Sequence, residues 1–295
     1  MQIAFRAMVL SLMLLVGCVT ATSNLRLPTK APNGALEHIP ATLLKPGGTG
    51  PFPAIVIMHD CSGLGPRSSG APMRWARELI ESGYVVVIPD SFTTRGHAGG
   101  VCTDASRSRN SVAPARRAYD AYAALTYVRT LSYVDGSRVG IMGGSHGGSS
   151  TLSSVVASEQ ETDPLFHVRL NGFRAAVALY PGCAAQMGGW DTLRQSGERG
   201  PIFSYIGVYQ PVAPLIILIG ENDDWTPAEP CRKMVEIARQ AGFPVSIKVY
   251  PGAHHSFDSN FPVRYDPARI NRNSPTVVVR PPVAIPGPGM MLCAR

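Results

Sequence analysis

The chain has 295 residues, enough for one large domain with a full core and tight for two. Hydrophobic residues make up 45% and charged residues 16%, which excludes a disordered chain. The net charge is +7, but there is no block of lysine or arginine and no basic stripe interleaved with aromatics, so a basic solvated surface is expected and nucleic-acid binding is not.

The first segment is MQIAFRAMVLSLMLLVGC. One positive charge, Arg6, precedes an apolar run from Ala7 to Gly17. That is the length of a signal-peptide core and too short for a membrane span. The run ends in Leu15-Val16-Gly17-Cys18, which resembles the bacterial lipobox, where cleavage precedes a cysteine that is then lipidated. A signal peptide cut near Ala21 or Thr22 is the alternative. Both readings make residues 1–18 a leader outside the fold. Both make the protein exported, either periplasmic or held at a membrane only by lipid on Cys18. Export permits disulfides. Of the 6 cysteines, Cys61, Cys102, Cys183, Cys231 and Cys293 then remain, so at least one is expected unpaired, and spacing does not decide the pairing. No pair has the spacing of a structural zinc site.

Residues 19–50 are polar with Pro and Gly, and read as a tether with an early strand or hairpin. Pro53–His59 (PAIVIMH) is a continuous apolar run, as expected of a strand buried on both faces of a parallel sheet. A helix is predicted over Met73–Ser82 and a second buried strand over Tyr84–Asp90 (YVVVIPD). Residues 91–112 read as a long loop, in which Arg95 and Asp90 are expected to pair and hold the loop rather than meet an anionic substrate. Ala113–Leu131 is amphipathic and predicts a helix. RVGIMGG predicts a strand, followed by a helix from His146 to about Ser158. Phe173–Tyr180 predicts a strand, and residues 181–213 an irregular segment that could cover a site. Pro214–Gly220 predicts a strand, Pro227–Ala241 a helix with Pro227 in its first turn, and PVSIKVYPG the last strand. Residues 51–270 thus form one catalytic domain, and 271–295 a Pro-rich tail, extended over the body or disordered. Alternating strands and helices imply an α/β domain with a mainly parallel sheet.

Three stretches carry chemistry. In IMGGSHGGS, Gly143, Ser145 and Gly147 satisfy Gly-x-Ser-x-Gly between a predicted strand and a predicted helix. A sharp turn there strains Ser145, needs small neighbours two residues away on each side, and aims the hydroxyl off the sheet. In LIILIGENDDWTP, Asp223 and Asp224 follow the end of a buried strand, the edge at which active sites of open α/β sheets lie. One of them could instead cap the next helix. In YPGAHHSFD, His254 and His255 follow the last strand at the same edge. Trp225 is expected to pack beneath the acid loop.

The order Ser, Asp, His, with these motifs and VIMHDCSGL, resembles the dienelactone hydrolase-type family of the α/β-hydrolase superfamily over most of the chain from Pro53 to Phe257. The resemblance implies an α/β-hydrolase fold, a mainly parallel central sheet flanked by helices. It places Ser145 as nucleophile, Asp223 as acid with Asp224 as runner-up, and His255 as base with His254 as its neighbour. It gives the backbone N–H groups of Cys61 and His146 as oxyanion donors, and sets Asp60 close to the nucleophile. The namesake enzymes use cysteine where this chain has Ser145, and a serine needs an adjacent base to become a nucleophile. The function implied is cleavage of a small-molecule carboxylic ester or lactone through an acyl-enzyme, with no metal or organic cofactor. A prolyl oligopeptidase-like peptidase and a non-catalytic envelope binding lipoprotein are the alternatives. A β-lactamase reading fails for want of Ser-x-x-Lys at the nucleophile.

Overall fold

The computed structural model describes residues 19–31, 33–157, 165–197, 200–260, 262–265, 273–275 and 291–292. The predicted leader with Cys18, most of the Pro-rich tail and Cys293 lie outside the described residues. The chain begins with a long antiparallel hairpin, β1 (Val19–Lys30) and β2 (Leu36–Lys45). Strand β3 (Phe52–Met58), helix α1 (Ala71–Glu81) and strand β4 (Val85–Pro89) follow. Next come helix α2 (Pro114–Val128), strand β5 (Val134–Gly144), helix α3 (His146–Val155) and the short helix α4 (Phe166–Leu170). Strand β6 (Ala176–Leu179) precedes a second hairpin, β7 (Trp190–Gly197) and β8 (Gly200–Gly207). Strand β9 (Leu215–Gly220), helix α5 (Ala228–Gln240) and strand β10 (Val245–Tyr250) complete the alternation. Short strands β11 (Val263–Tyr265), β12 (Asn273–Pro275) and β13 (Met291–Leu292) come last.

One nine-stranded sheet organises the molecule, in the order β10-β9-β6-β5-β3-β4-β2-β1-β13. The strands from β10 to β4 pair in parallel, whereas β2, β1 and β13 are antiparallel at one edge. This is the α/β-hydrolase architecture expected. The central parallel strands were legible because both their faces are covered. All five residues of β4 are buried, and Ala54, Val56, Ile57 and Met58 of β3 are nearly inaccessible. Helices α1, α2 and α5 each turn an apolar stripe onto the sheet, among them Ala118, Ala121, Leu125 and Val128 of α2.

Of the two readings of residues 19–50, a tether and an early strand or hairpin, the hairpin is what forms, and it is a full one within the sheet. Leu27, Ile39, Ala41, Leu43 and Leu44 enter the core, and a buried ionic network pins the hairpin to α2. In that network Asp120 accepts from Arg95 Nη1 (2.7 Å), Arg116 Nη1 (3.1 Å) and Thr29 Oγ1 (3.0 Å), while Glu37 accepts from Arg95 and Arg116. This corrects the expected partner of Arg95. The arginine does hold its loop, but through Asp120 and Glu37, because α2 packs directly against that segment. Asp90 instead accepts the N–H groups of Phe92 and Thr93 and starts the 3-10 turn Thr93–Arg95.

Two further expectations change. Residues 91–112 are not a plain loop, for they contain a second 3-10 turn, Arg107–Val112. Residues 181–213 are irregular only at their two ends, for a hairpin fills the middle. The β7–β8 hairpin stacks Trp190 on Tyr205 with ring centroids 5.5 Å apart, and Trp190 is fully buried against the core. Pro227 stands at the N-cap of α5 rather than within its first turn, a one-residue displacement with the same physical reason, since no N–H is needed there.

Candidate active site

The site is assembled at the C-terminal ends of β3, β5, β6, β9 and β10. Strand β5 ends at Gly144, α3 begins at His146, and Ser145 makes the whole turn between them with φ 55° and ψ −118°. Its N–H donates to the Leu179 carbonyl at 3.0 Å, and its carbonyl accepts the first helical bond from Ser149 N at 2.9 Å. The flanking glycines are required by space. A Cβ on Gly143 would lie 2.5 Å from the Gly147 backbone, and one on Gly147 would collide with the Met58 carbonyl of β3. The motif is therefore a consequence of packing helix against strand at a tight turn. Among the described residues the non-glycine positions with positive φ are Ser145, Tyr180 (36°) and Ser256 (57°), so backbone strain is concentrated around the histidine and the nucleophile.

The three chemistry-bearing side chains meet. His255 Nδ1 donates to Asp223 Oδ2 at 2.8 Å, which leaves Nε2 as the acceptor of the Ser145 hydroxyl at 3.0 Å. Asp223 and His255 are 5% and 1% exposed and Ser145 is 8% exposed, so the relay works in a low-dielectric setting open at the serine end. Asp223 is fixed from its other side by the N–H groups of Trp225 (3.0 Å) and Thr226 (2.8 Å) on Oδ1. One carboxylate thus both closes the turn ahead of α5 and orients the histidine. Asp224 follows it, half-buried, while His254 donates from Nδ1 to the Asn222 carbonyl at 3.1 Å. Asp60 accepts from Ser62 N (2.7 Å), from the Ser62 hydroxyl and from the Ser69 hydroxyl, and so holds the loop that follows β3. Cys61 on that loop and His146 at the start of α3 come to the same edge because Met58 and Gly143 are register partners on neighbouring strands.

Residues with no role legible in the sequence hold the histidine in place. Thr226 Oγ1 lies 3.0 Å from both Asp223 Oδ2 and His255 Nδ1, and 3.1 Å from the Tyr180 carbonyl. The Tyr180 ring packs edge-on against His255 at 4.8 Å, and its hydroxyl donates to Asp258 Oδ1 at 2.8 Å. Burial, with Asp258 and Asp60 nearby, holds that phenol well above its ordinary pKa, so it stays a donor. Trp75 of α1 donates to the other oxygen of Asp258 at 2.7 Å. Asp258 lies three residues after His255, and that spacing in HHSFD was the only sequence signal for it. Trp225 stacks obliquely on His255 at 5.0 Å and packs on the cluster of Cys61, Phe92, Val101 and Val112, so it flanks the histidine rather than lying under the acid loop alone.

Two disulfides brace this edge. Cys61–Cys102 ties the loop after β3 to the 91–112 segment, and Cys183–Cys231 ties the loop after β6 to α5. Among the described residues every cysteine is paired, and none of the groups of His, Cys, Asp and Glu could hold a metal ion.

The arrangement agrees with what comparison with known proteins finds. The chain is 32% identical over 105 residues to the "Uncharacterized protein YcjY" of Escherichia coli, an alignment covering 36% of this chain and 31% of that one, so it spans about a third of that relative's length. It is 25% identical over 230 residues to a Methylorubrum extorquens protein named "Putative carboxymethylenebutenolidase", covering 77% of this chain and 70% of that one. Esterase 2 of Thermogutta terrifontis, in its apo form, has the same fold, with a TM-score of 0.54 at 21% identity over 81% of this chain and 87% of that one. The profile of the Dienelactone hydrolase family matches residues 39–277. Because that match runs from the second strand to beyond the histidine loop and takes in the serine, the aspartate and the histidine that the fold joins, the chain belongs to the dienelactone hydrolase family.

Proposed function

We propose that the protein is a serine hydrolase that cleaves a small carboxylic ester or a lactone. The observation that carries the reading is the unbroken path of hydrogen bonds from Ser145 through His255 to Asp223, with the serine on a strained turn. Strain and an adjacent base are what a serine needs and a structural serine does not. The family name and that of the Methylorubrum extorquens relative both point to lactones as the cyclic members of the substrate class. A non-catalytic binding protein would have no use for the relay.

His255 Nε2 takes the proton as Ser145 Oγ bonds to the carbonyl carbon. The imidazolium is stabilised by Asp223, and the oxyanion is held by the N–H groups of Cys61 and His146 at the start of α3, where the helix dipole adds to them. The C–O bond to the alcohol breaks as His255 returns the proton to the leaving oxygen. Water, deprotonated by the same nitrogen, then releases the acid. No step calls on a group beyond these side chains and the solvent. The reading takes the substrate to be small, so short acyl groups are expected to turn over fastest. A p-nitrophenyl series from acetate to octanoate, a γ-lactone, and a fluorophosphonate probe test the reading. It predicts turnover that falls with chain length and one labelled serine, Ser145. A folded protein that neither labels nor hydrolyses any of these substrates refutes it.

The protein is, in the same reading, exported and anchored by lipid on Cys18. The apolar run before Cys18 and the two disulfides support this, since disulfides persist in oxidising compartments. Radiolabelled palmitate incorporated by the wild type and lost in Cys18→Ala is the expected result. A wild type that takes up no label would leave only a cleaved signal peptide, and equal labelling of both would place the lipid elsewhere than on Cys18.

A further inference from the structure

Arg117 is fully buried in α2, yet both of its hydrogen bonds go to neutral acceptors. Its Nη2 donates to the His59 carbonyl at 2.7 Å, and its Nη1 donates to His146 Nδ1 at 2.7 Å. Its Nε is buried without a partner, and the guanidinium lies over the Phe92 ring at 5.0 Å. A buried cation that leaves a donor unused is costly and is not chosen for stability alone. Its two acceptors have something in common. His59 lies two residues before Cys61 on the loop after β3, and His146 directly follows Ser145. These are the two segments whose N–H groups would face the oxyanion.

We propose that Arg117 is a positioning residue that sets the oxyanion hole, its rigid fork joining the His59–Cys61 loop to the start of α3 and holding their two N–H donors at one spacing. A guanidinium suits this task because it is planar and presents two donors in a fixed geometry, which an ammonium cannot. The contact also sets the tautomer of His146, whose Nδ1 must remain an unprotonated acceptor. Burial and the adjacent Arg117 lower the His146 pKa to about 2, so the imidazole stays neutral throughout the working range. Arg117 itself is lowered to about 10 by burial and remains a cation, placing positive charge behind the forming oxyanion.

The inference rests on the ester-hydrolase reading above. Its test uses the full chain with Arg117→Met, Arg117→Lys and His146→Ala, p-nitrophenyl acetate as substrate, and an alkyl trifluoromethyl ketone as inhibitor. The ketone adds Ser145 Oγ at its carbonyl carbon, the carbonyl electron pair becomes the oxyanion and the serine proton passes to His255, so its affinity reports the hole directly. Each variant is expected to lower kcat about 10- to 100-fold with KM changed less than about threefold, and to weaken the ketone by the same factor as kcat/KM. Arg117→Lys should add little in the His146→Ala background, because the fork has already lost one end. His146→Ala keeps the backbone and leaves the buried arginine in place, so it answers even where Arg117→Met does not fold. Variants with wild-type kcat, or a fall in kcat without a matching loss of ketone affinity, overturn the proposal while the hydrolase reading stands. Absence of turnover and of serine labelling in the wild type removes both together.

Discussion

Ser145→Ala is expected to lower kcat for p-nitrophenyl acetate by about a million-fold, down to the residual rate that the oxyanion donors and binding supply alone. The relay acts as a unit, so His255→Ala should cost nearly as much, and the Ser145→Ala/His255→Ala pair little more than either. Asp223→Asn is expected to cost about ten-thousandfold, because the amide can present its N–H to His255 Nδ1 and stabilise the wrong tautomer. Asp224→Asn should change kcat less than about threefold. The carboxylate that reaches the imidazole is that of Asp223, and a large effect at Asp224 would reverse the assignment. Steady-state kinetics with circular dichroism as a folding check decide all of these. Stability separates from activity at the same position. At φ 55° a Cβ is strained, so Ser145→Gly should be inactive yet about 1 kcal/mol more stable to urea. A Gly variant less stable than the wild type would mean that the turn stores no strain.

Breaking the disulfides should have the second largest effect, on stability first. The bridges close segments of 41 and 48 residues, and loss of loop-closure entropy from the unfolded chain is worth about 4 kcal/mol for each. Together that is a large part of the 5–15 kcal/mol that separates a typical domain from its unfolded state. Full reduction is therefore expected to move the urea midpoint far down or to unfold the protein at ambient temperature. The two bridges should differ in their effect on catalysis. Cys61 carries one of the proposed oxyanion donors, and its carbonyl accepts from Val101 N at 2.7 Å beside the bridge. The Cys61→Ser/Cys102→Ser protein is expected to lose about tenfold in kcat while folded. Cys183→Ala/Cys231→Ala, which removes a bridge buried behind the acid loop, should keep kcat within a few-fold at a similar loss of stability. Equal kcat in the two double variants would show that the first bridge supports the fold without tuning the site.

Much of this molecule was legible from residues a few positions apart. Burial on both faces writes a strand as an apolar run, so β3, β4 and the second half of β5 could be placed to within a few residues, and β9 stood out as an apolar run as well, whereas the edge strand β10 was legible from β-branched and aromatic residues alternating with Ser246 and Lys248. The Gly-x-Ser-x-Gly turn was legible because steric exclusion around Ser145 acts on its nearest neighbours. Acid and base were legible because each directly follows a strand that ends at the same edge. Local pattern also failed in an instructive way. The β7–β8 hairpin lacks alternation and carries glycine, so nothing short of Trp190 packing into the core reveals it. The β1–β2 hairpin contains Pro28 and Pro40, which read as breaks but are tolerated near a sheet edge.

Partner choice lies beyond that reach. Ser145 and His255 are 110 positions apart, and only the parallel order of β5, β6, β9 and β10 brings them within a hydrogen bond. The same holds for Arg95, which could not choose Asp120 over Asp90 until α2 lay against the loop, and for the cysteines, whose pairing depends on which loops share an edge. Thr226 and Asp258 stand inside the acid and histidine stretches without a legible role there, and Tyr180 and Arg117 belong to no motif, because what each does is hold another residue at a distance, and that distance exists only in the folded chain. Chemistry-bearing residues and buried strands follow from side-chain type and short-range sterics, which a linear sequence contains. Their mutual geometry follows from long-range packing, which it does not.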